Sequence, residues 1–391
     1  MVPTFPDFNI WSTPLLLLSL QGLVFAGLIF NRYRKKKNIS DLLLFLILIV
    51  TCYHQTCYTL GFMSWYDTFR NTKINYALIT LTIVIAPLIY LYIRSITMSS
   101  FMFRKKDWLH FLPALIVVFY RIAIFSYDAL QPGFSETQNG YLKIHFDEAY
   151  FLPIYSIFSY IQNTLYLAFT VQLYFNYRKK INEYFSNTFK LELNWIRNFL
   201  LLYILLFLYD LIETIIGTIF IDLNYRQQWW MVFFTGLIII YVGIKGFFTD
   251  TTKLKKLDFS FSPNRSAIPE RDTTSKKEIP QEALQKIKTL MEQEKPYLNP
   301  ELNLSDLAKQ AKMTRAQLSE IINSGFKQNF NDFVNSYRIE AFKNMLHEDK
   351  HKQLSILGIA YECGFNSKAT FNRVFKKLTS SSPSEFLKTI G

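Results

Sequence analysis

Cysteine is nearly absent from this chain: Cys52 and Cys57 lie in one apolar segment and Cys363 far downstream, three in 391 residues. No disulfide framework or structural zinc set can be assembled from that number and spacing, and a reducing compartment suits the segment around Cys363. No catalytic motif stands out, and the apolar runs show neither an inverted repeat nor a Gly/Pro-broken helix pair, which argues against an enzyme and against a transporter. No cofactor or metal is expected, since a site built from His54 with Cys52 or Cys57 is a poorer reading than ordinary packing. Basic residues are missing ahead of the first apolar run, whereas Arg32, Arg34, Lys35, Lys36 and Lys37 follow it. That order is expected of a retained membrane anchor rather than a cleaved signal peptide.

What the chain has in abundance is apolar and aromatic side chains. Half of its residues are hydrophobic and 17% aromatic, with 37 Phe and 24 Tyr, too greasy for an ordinary soluble surface. They concentrate before Phe248, in seven runs near the ~20 residues that cross a bilayer. The runs are Trp11 to Phe30, Leu42 to Met63, Tyr76 to Ile93, Trp108 to Phe125, Phe151 to Phe175, Trp195 to Ile221 and Trp229 to Phe247. A seven-helix transmembrane bundle over residues 1–249 is expected, surrounded by lipid. Basic segments at Arg32 to Lys37, Arg94 to Lys106, Arg178 to Lys190 and Lys245 to Lys256 alternate with weakly charged or acidic ones, the longest carrying Asp128, Glu136, Asp147 and Glu148 against Lys143. Excess Lys and Arg marks the cytoplasmic side of a membrane, so the N-terminus is expected outside and the C-terminal part in the cytoplasm. Trp11, Trp65, Trp108, Trp195, Trp229 and Trp230 sit at or beside run ends, as interfacial belts require.

Ionisable or strongly polar side chains inside spans are costly and therefore candidates for function. His54, Gln55, Arg121, Gln162, Asn163, Asp210 and Glu213 are of this kind. His54, Arg121, Asn163, Asp210 and Glu213 form the expected sensing set for an unidentified ligand or membrane partner, with Arg121 able to pair with Asp210 or Glu213. The plainer alternative is interhelical hydrogen bonding.

Residues 250–280 mix Thr, Ser, Lys and Pro without apolar periodicity and read as a flexible linker. Residues 281–391 form the second domain; beyond residue 250 there are 23 Lys and Arg against 16 Asp and Glu. A basic surplus of this size suits phosphate but does not by itself identify a partner. Glu282 to Glu294 places Leu284, Ile287, Leu290 and Met291 on one helical face, which packs on the following domain or, alternatively, forms a dimeric coiled coil. Leu304 to Ala311, a break at Lys312-Met313, and a helix opening at a Thr314 cap then give two short helices joined by a tight turn. The grammar returns at Ile359-Ala-Tyr-Glu-Cys-Gly-Phe, a turn at Gly364 and a Ser367 cap. Aligning Thr314 with Ser367 pairs Arg315 with Lys368, Ala316 with Ala369, Leu318 with Phe371, and Ile322 with Phe375. Phe330 to Leu346 is expected to be a long helix setting the distance between the copies.

The segment Leu302 to Thr389 resembles the DNA-binding domain of the AraC/XylS family of bacterial regulators. The resemblance rests on Ile359-Ala-x-x-x-Gly-Phe, Ser367, Phe371-x-Arg373-x-Phe375-Lys376-Lys377, Ser382-Pro383-Ser384-Glu385-Phe386 and the linking Asn335-x-Tyr337-Arg338-Ile339. Ser380 departs from it, standing where the family usually has Gly, at a turn that can require a positive backbone angle. The resemblance implies an all-α chain whose two helix-turn-helix motifs bind promoter DNA. Arg315, Ala316, Gln317, Ser319 and Glu320 would face DNA from the first recognition helix, and Lys368, Ala369, Thr370, Asn372 and Arg373 from the second. Arg373 and Lys368 could donate to guanine, Glu320 could accept from cytosine, and Lys376, Lys377 and Lys327 would hold phosphates. A membrane-bound transcription regulator of this family is thus expected, with RNA polymerase and a second copy of the chain as further partners. Activation and repression stay open, as does a transporter or membrane enzyme carrying the domain as an appendage.

Overall fold

The computed structural model describes residues 4–69, 72–76, 78–98, 101–189, 191–220, 226–249, 279–347 and 354–390. Among them there is no β-strand, only one isolated bridge between Phe185 and Asn303. The chain divides into two compact units, one of residues 1–174 with 194–263 and one of residues 175–193 with 264–391. The expected linker over 250–280 lies almost wholly outside the described residues.

Among the described residues the first unit carries the long helices α1 (Ser12–Lys36), α2 (Ile39–Phe62), α3 (Ile85–Thr97), α4 (Leu112–Ala129), α6 (Asn194–Ile219) and α7 (Trp229–Phe248), together with α5 (Leu152–Tyr184), whose residues from 175 on group with the second unit. Among the described residues six helical segments are long and apolar enough to cross a membrane: Ser12–Lys36, Ile39–Phe62, Ile74–Thr97, Lys105–Ala129, Asn194–Ile219 and Trp229–Phe248. The fifth expected span falls in α5, whose 33 residues would extend about 50 Å at 1.5 Å per residue. Its length suffices, but Ser156, Ser159, Gln162, Asn163, Thr164 and several tyrosines dilute its hydropathy. Outward apolar side chains such as Phe119, Ile154 and Ile212 are more than half exposed, the surface a lipid solvent tolerates and water does not.

Inside this unit α1, α2 and α7 pack side by side. Gly22 permits the close approach, because a β-carbon there would lie 2.5 Å from the Cys52 sulfur and 2.7 Å from an Ile239 methyl. At one end Arg32 clamps Asp41 through Nε and Nη2 at 3.0 and 2.6 Å and also donates to the Gly246 carbonyl at 3.1 Å. At the other, the Trp229 indole donates to the Trp11 carbonyl at 2.7 Å.

The second unit is built around two apolar cores. Helices α8 (Gln281–Gln293), α9 (Leu304–Gln310) and α10 (Arg315–Glu320) surround the first, which buries Ile287, Met291, Leu307, Leu318 and Ile322. Helices α12 (Ile356–Glu362), α13 (Lys368–Thr379) and α14 (Pro383–Ile390) surround the second, with Ile359, Phe365, Phe371 and Phe375 inside. The helix α11 (Phe330–His347) serves both: Phe333 and Val334 enter the first core, Ile339, Phe342 and Leu346 the second. Each fully buried Leu, Ile or Phe contributes on the order of 1.5–3 kcal/mol relative to exposure, so α11 is fixed at both ends by packing. The helix expected from Glu282 is α8, and its apolar face packs on the domain as the periodicity indicates.

Candidate nucleic-acid interface

Local sequence chemistry sets up two helix pairs. In the first, Asn303 caps α9 by accepting from the Asp306 amide at 3.1 Å. Thr314 and Gln317 then form a reciprocal box at the start of α10, the Gln317 amide donating to Thr314 Oγ1 at 3.2 Å and the Thr314 amide to Gln317 Oε1 at 2.9 Å. In the second, Ser355 caps α12 and Ser367 caps α13, accepting from the Gly358 and Thr370 amides at 3.1 and 3.5 Å. Gly364 makes the turn between them at φ +88°, and a β-carbon there would stand 2.3 Å from the Tyr297 carbonyl oxygen. Only glycine meets both demands. Ser380 ends α13 at φ +61°, so the turn takes the expected left-handed conformation with serine rather than glycine, at a modest conformational cost.

The internal repeat holds residue by residue in the cores, where Leu318, Phe371, Ile322 and Phe375 are all buried. On the outside, Arg315, Ala316, Gln317 and Glu320 are exposed on α10 and Ser319 half-exposed; Lys368, Ala369, Asn372, Arg373, Lys376 and Lys377 are exposed on α13. Lys327 is exposed as well. Thr370 is a correction: it is 3% exposed and turned toward the second core, because the third residue of α13 rotates off the outer face. Gln317 spends its side-chain oxygen on the Thr314 cap.

Two cations of α13 already have carboxylate partners. Lys377 pairs with Asp332 at the start of α11 at 2.7 Å, and Arg373 pairs with Glu192 at 2.8 Å. Glu192 belongs to the segment between α5 and α6 that is expected to be part of the membrane domain. Contacts instead group residues 175–193 with the C-terminal unit, because polar side chains of α11 grip that backbone. Asn331 donates to the Phe185 and Ser186 carbonyls at 3.1 and 2.8 Å. Arg338, 1% exposed, donates to the Tyr297 and Asn299 carbonyls at 2.8 Å each and to Ser186 Oγ at 3.1 Å. Burial pushes its guanidinium down to about 10, still far above neutrality.

The polar set expected within spans is scattered. Arg121 does not meet Asp210 or Glu213: its Nη1 lies 2.7 Å from Asp147, which Lys143 and Tyr120 also engage. Asp147 lies in the helical turn leading into α5, close enough to neutralise Arg121 first. Asp210 accepts from the Tyr160 hydroxyl at 2.9 Å, and that hydroxyl also meets Thr214 at 2.7 Å. Asn163 faces Tyr203 at 3.4 Å, and His54 lies against the Tyr58 ring, centroids 5.1 Å apart. A network missed from sequence is Asp128, which accepts from Tyr76 at 2.7 Å and from the Leu142 and Lys143 amides at 2.8 and 3.0 Å. Its only sequence signal was an acidic residue at a span end.

With this geometry, residues 307–389 match a family model described as a helix-turn-helix domain. That stretch is similar to helix-turn-helix domains of the AraC type. An uncharacterized HTH-type transcriptional regulator of Haemophilus influenzae is 32% identical to the chain over 88 residues, 22% of the chain and 28% of that protein. Another, from Pseudoalteromonas carrageenovora, is 29% identical over 133 residues, 32% of the chain and 76% of that protein. The chain thus spans less than a third of the length of the Haemophilus relative. No solved structure matches. The matched stretch begins inside α9 and takes in α10 to α13 whole and all of α14 but its last residue.

Proposed function

We propose that this protein is a membrane-anchored transcription regulator, which senses a signal through a seven-span bundle and binds promoter DNA through both helix pairs. The observation that carries the reading is the capped, twelve-residue α13 with Lys368, Asn372 and Arg373 exposed on one side, in the same chain as six membrane-compatible helices. The N-terminal residues of such a recognition helix meet base edges in the major groove, and two of them about 34 Å apart meet successive grooves on one face. Arg373 and Lys368 suit guanine O6 and N7, and Lys376 and Lys377 suit phosphates. The relatives' names point to the same activity. In the bundle, the Asp210–Tyr160–Thr214 cluster near Asn163 is the best-supported sensing element, with Arg121 committed to Asp147.

Genome-wide crosslinking of the full-length protein to DNA tests the reading, together with reporter fusions after Lys37, Lys106 and Lys256, expected inside, and near Gln138, expected outside. A cytoplasmic Gln138, or no recovered DNA, overturns it. Asp210→Asn should alter promoter response while leaving insertion and DNA binding intact.

A further inference from the structure

The segment between α5 and α6 is bound into the DNA-binding unit as firmly as a structural element. Ser186, Thr188 and Glu192 are at most 3% exposed. Ser186 donates to the Leu302 carbonyl through both its amide (3.2 Å) and its hydroxyl (2.6 Å), and Tyr184 meets Ser305 of α9 at 2.7 Å. Asn331, Asn335 and Arg338, themselves buried, face the Ser186 carbonyl or hydroxyl from α11. The segment therefore fills a polar slot, adding acceptors for Asn331, Asn335 and Arg338 to the bonds these side chains make with one another and with the Tyr297 and Asn299 carbonyls.

From that slot the segment reaches the second recognition helix at two places. Asn187 donates to the Asn366 side chain, one residue before the Ser367 cap. Glu192 presents a buried carboxylate to Arg373; its Oε1 also accepts from Thr188 at 2.9 Å, and its Oε2 pairs with Arg178 at 3.3 Å. A buried carboxylate held by two guanidiniums and a hydroxyl can release one guanidinium and stay paired. Arg373 is half exposed, so an external anion can compete for it.

We infer that residues 185–189 with 191–192 form a docking element that competes with DNA for the N-terminal end of α13 and for Arg373. The inference rests on the DNA-binding reading above. Glu192 acts as an internal stand-in for a phosphate or base edge, and Asn187 occupies the end of the helix that would enter the groove. Because residues 175–184 are the last turns of α5, movement of that helix would change how firmly the element is seated.

The test uses full-length protein in lipid nanodiscs and a random-sequence 40-base-pair duplex library. Glu192→Gln keeps the shape and the Thr188 bond but removes the charge, and should tighten DNA binding about three- to tenfold, one charge-assisted hydrogen bond discounted for a half-exposed partner. Asn187→Cys with Asn366→Cys, bridged by a short reducible bis-methanethiosulfonate, should weaken binding at least tenfold and recover on reduction, while the same reagent on the native cysteines has no effect. DNA should in turn slow the bridging. Affinity indifferent to the bridge and to Glu192→Gln overturns the docking element alone. Absence of DNA binding by every form, bridged or reduced, overturns the functional reading and this inference with it.

Discussion

The two helix pairs share a packing plan and differ in surface chemistry. In α10 six residues pass directly into a wider turn at Ile321–Gly325, and the exposed face carries one cation, Arg315, and one anion, Glu320. In α13 twelve residues carry Lys368, Arg373, Lys376 and Lys377, with no acidic residue among them. Core positions cannot drift, since Leu318 and Phe371 must each fill a closed space. The outer faces are limited only by what they touch, and they have diverged. The second pair is thereby the electrostatically stronger half, and the 185–192 segment, which also meets Asn303 at the start of the first pair, sets its carboxylate against the second.

The largest effect that would sharpen this contrast lies in the cores. Phe371 packs on Phe342, Phe365 and Phe375 with ring centroids 4.8, 5.3 and 5.7 Å away, so Phe371→Ala should cost about 3–5 kcal/mol. Amide hydrogen exchange should show the loss concentrated in α12 to α14, with the Leu307 and Leu318 region still protected. Equal loss in both cores would mean that α11 couples them into one folding unit. Next in size, Arg373→Ala should weaken binding to the selected DNA site by about 1–3 kcal/mol and flatten preference at one base. Lys377→Ala should weaken specific and random duplexes alike and lower the salt slope. The same flattening from Arg315→Ala would remove the proposed inequality between the pairs. Smaller still, Thr314→Ala should destabilise the start of α10 by about 1 kcal/mol, read as faster exchange of the Gln317 amide.

Much of the second unit was legible in sequence because its signals are local or periodic. The caps at Thr314 and Ser367, the buried pairs Leu318/Phe371 and Ile322/Phe375, the stripe of α8 and the positive angle at Ser380 all depend on near neighbours. The seat of residues 185–192 does not: Asn331 meets Ser186 across 145 residues, and the loop has no periodicity to reveal it. A signal was nevertheless available, since Asn331, Asn335 and Arg338 recur at helical spacing on a face otherwise made of Phe and Val. Arg121 illustrates the converse failure. Its burial was foreseen, but carboxylate choice depends on which of several acids the chain brings within reach, and Asp147 was closer than Asp210.

The subtlest expected difference concerns two boxes of the same design. The box at Thr314 uses Gln317, which has no charge to lose. The box at the start of α14 uses Glu385, whose carboxylate accepts from the Ser382 amide at 2.7 Å while Ser382 Oγ accepts from the Glu385 amide at 3.3 Å. The bond from the Ser382 backbone, then that from its side chain, hold the Glu385 carboxyl below its usual 4.5, and Lys376 and Lys388 add to the effect. A carboxyl lowered on folding stabilises the folded form above its unfolded value, and the contribution disappears as pH falls through the folded value. Between about pH 6 and pH 3 the Ser382 amide should therefore lose protection relative to the Thr314 amide in the same sample, a ratio from which the intrinsic pH dependence of exchange cancels. Phe386 and Leu387, which pack on the second core, should loosen in step. Glu385→Gln keeps an acceptor of the same reach, so it should preserve the box at low pH and abolish the drift. A drift that persists in Glu385→Gln would place the acid sensitivity elsewhere in the second pair and erase this distinction between the boxes.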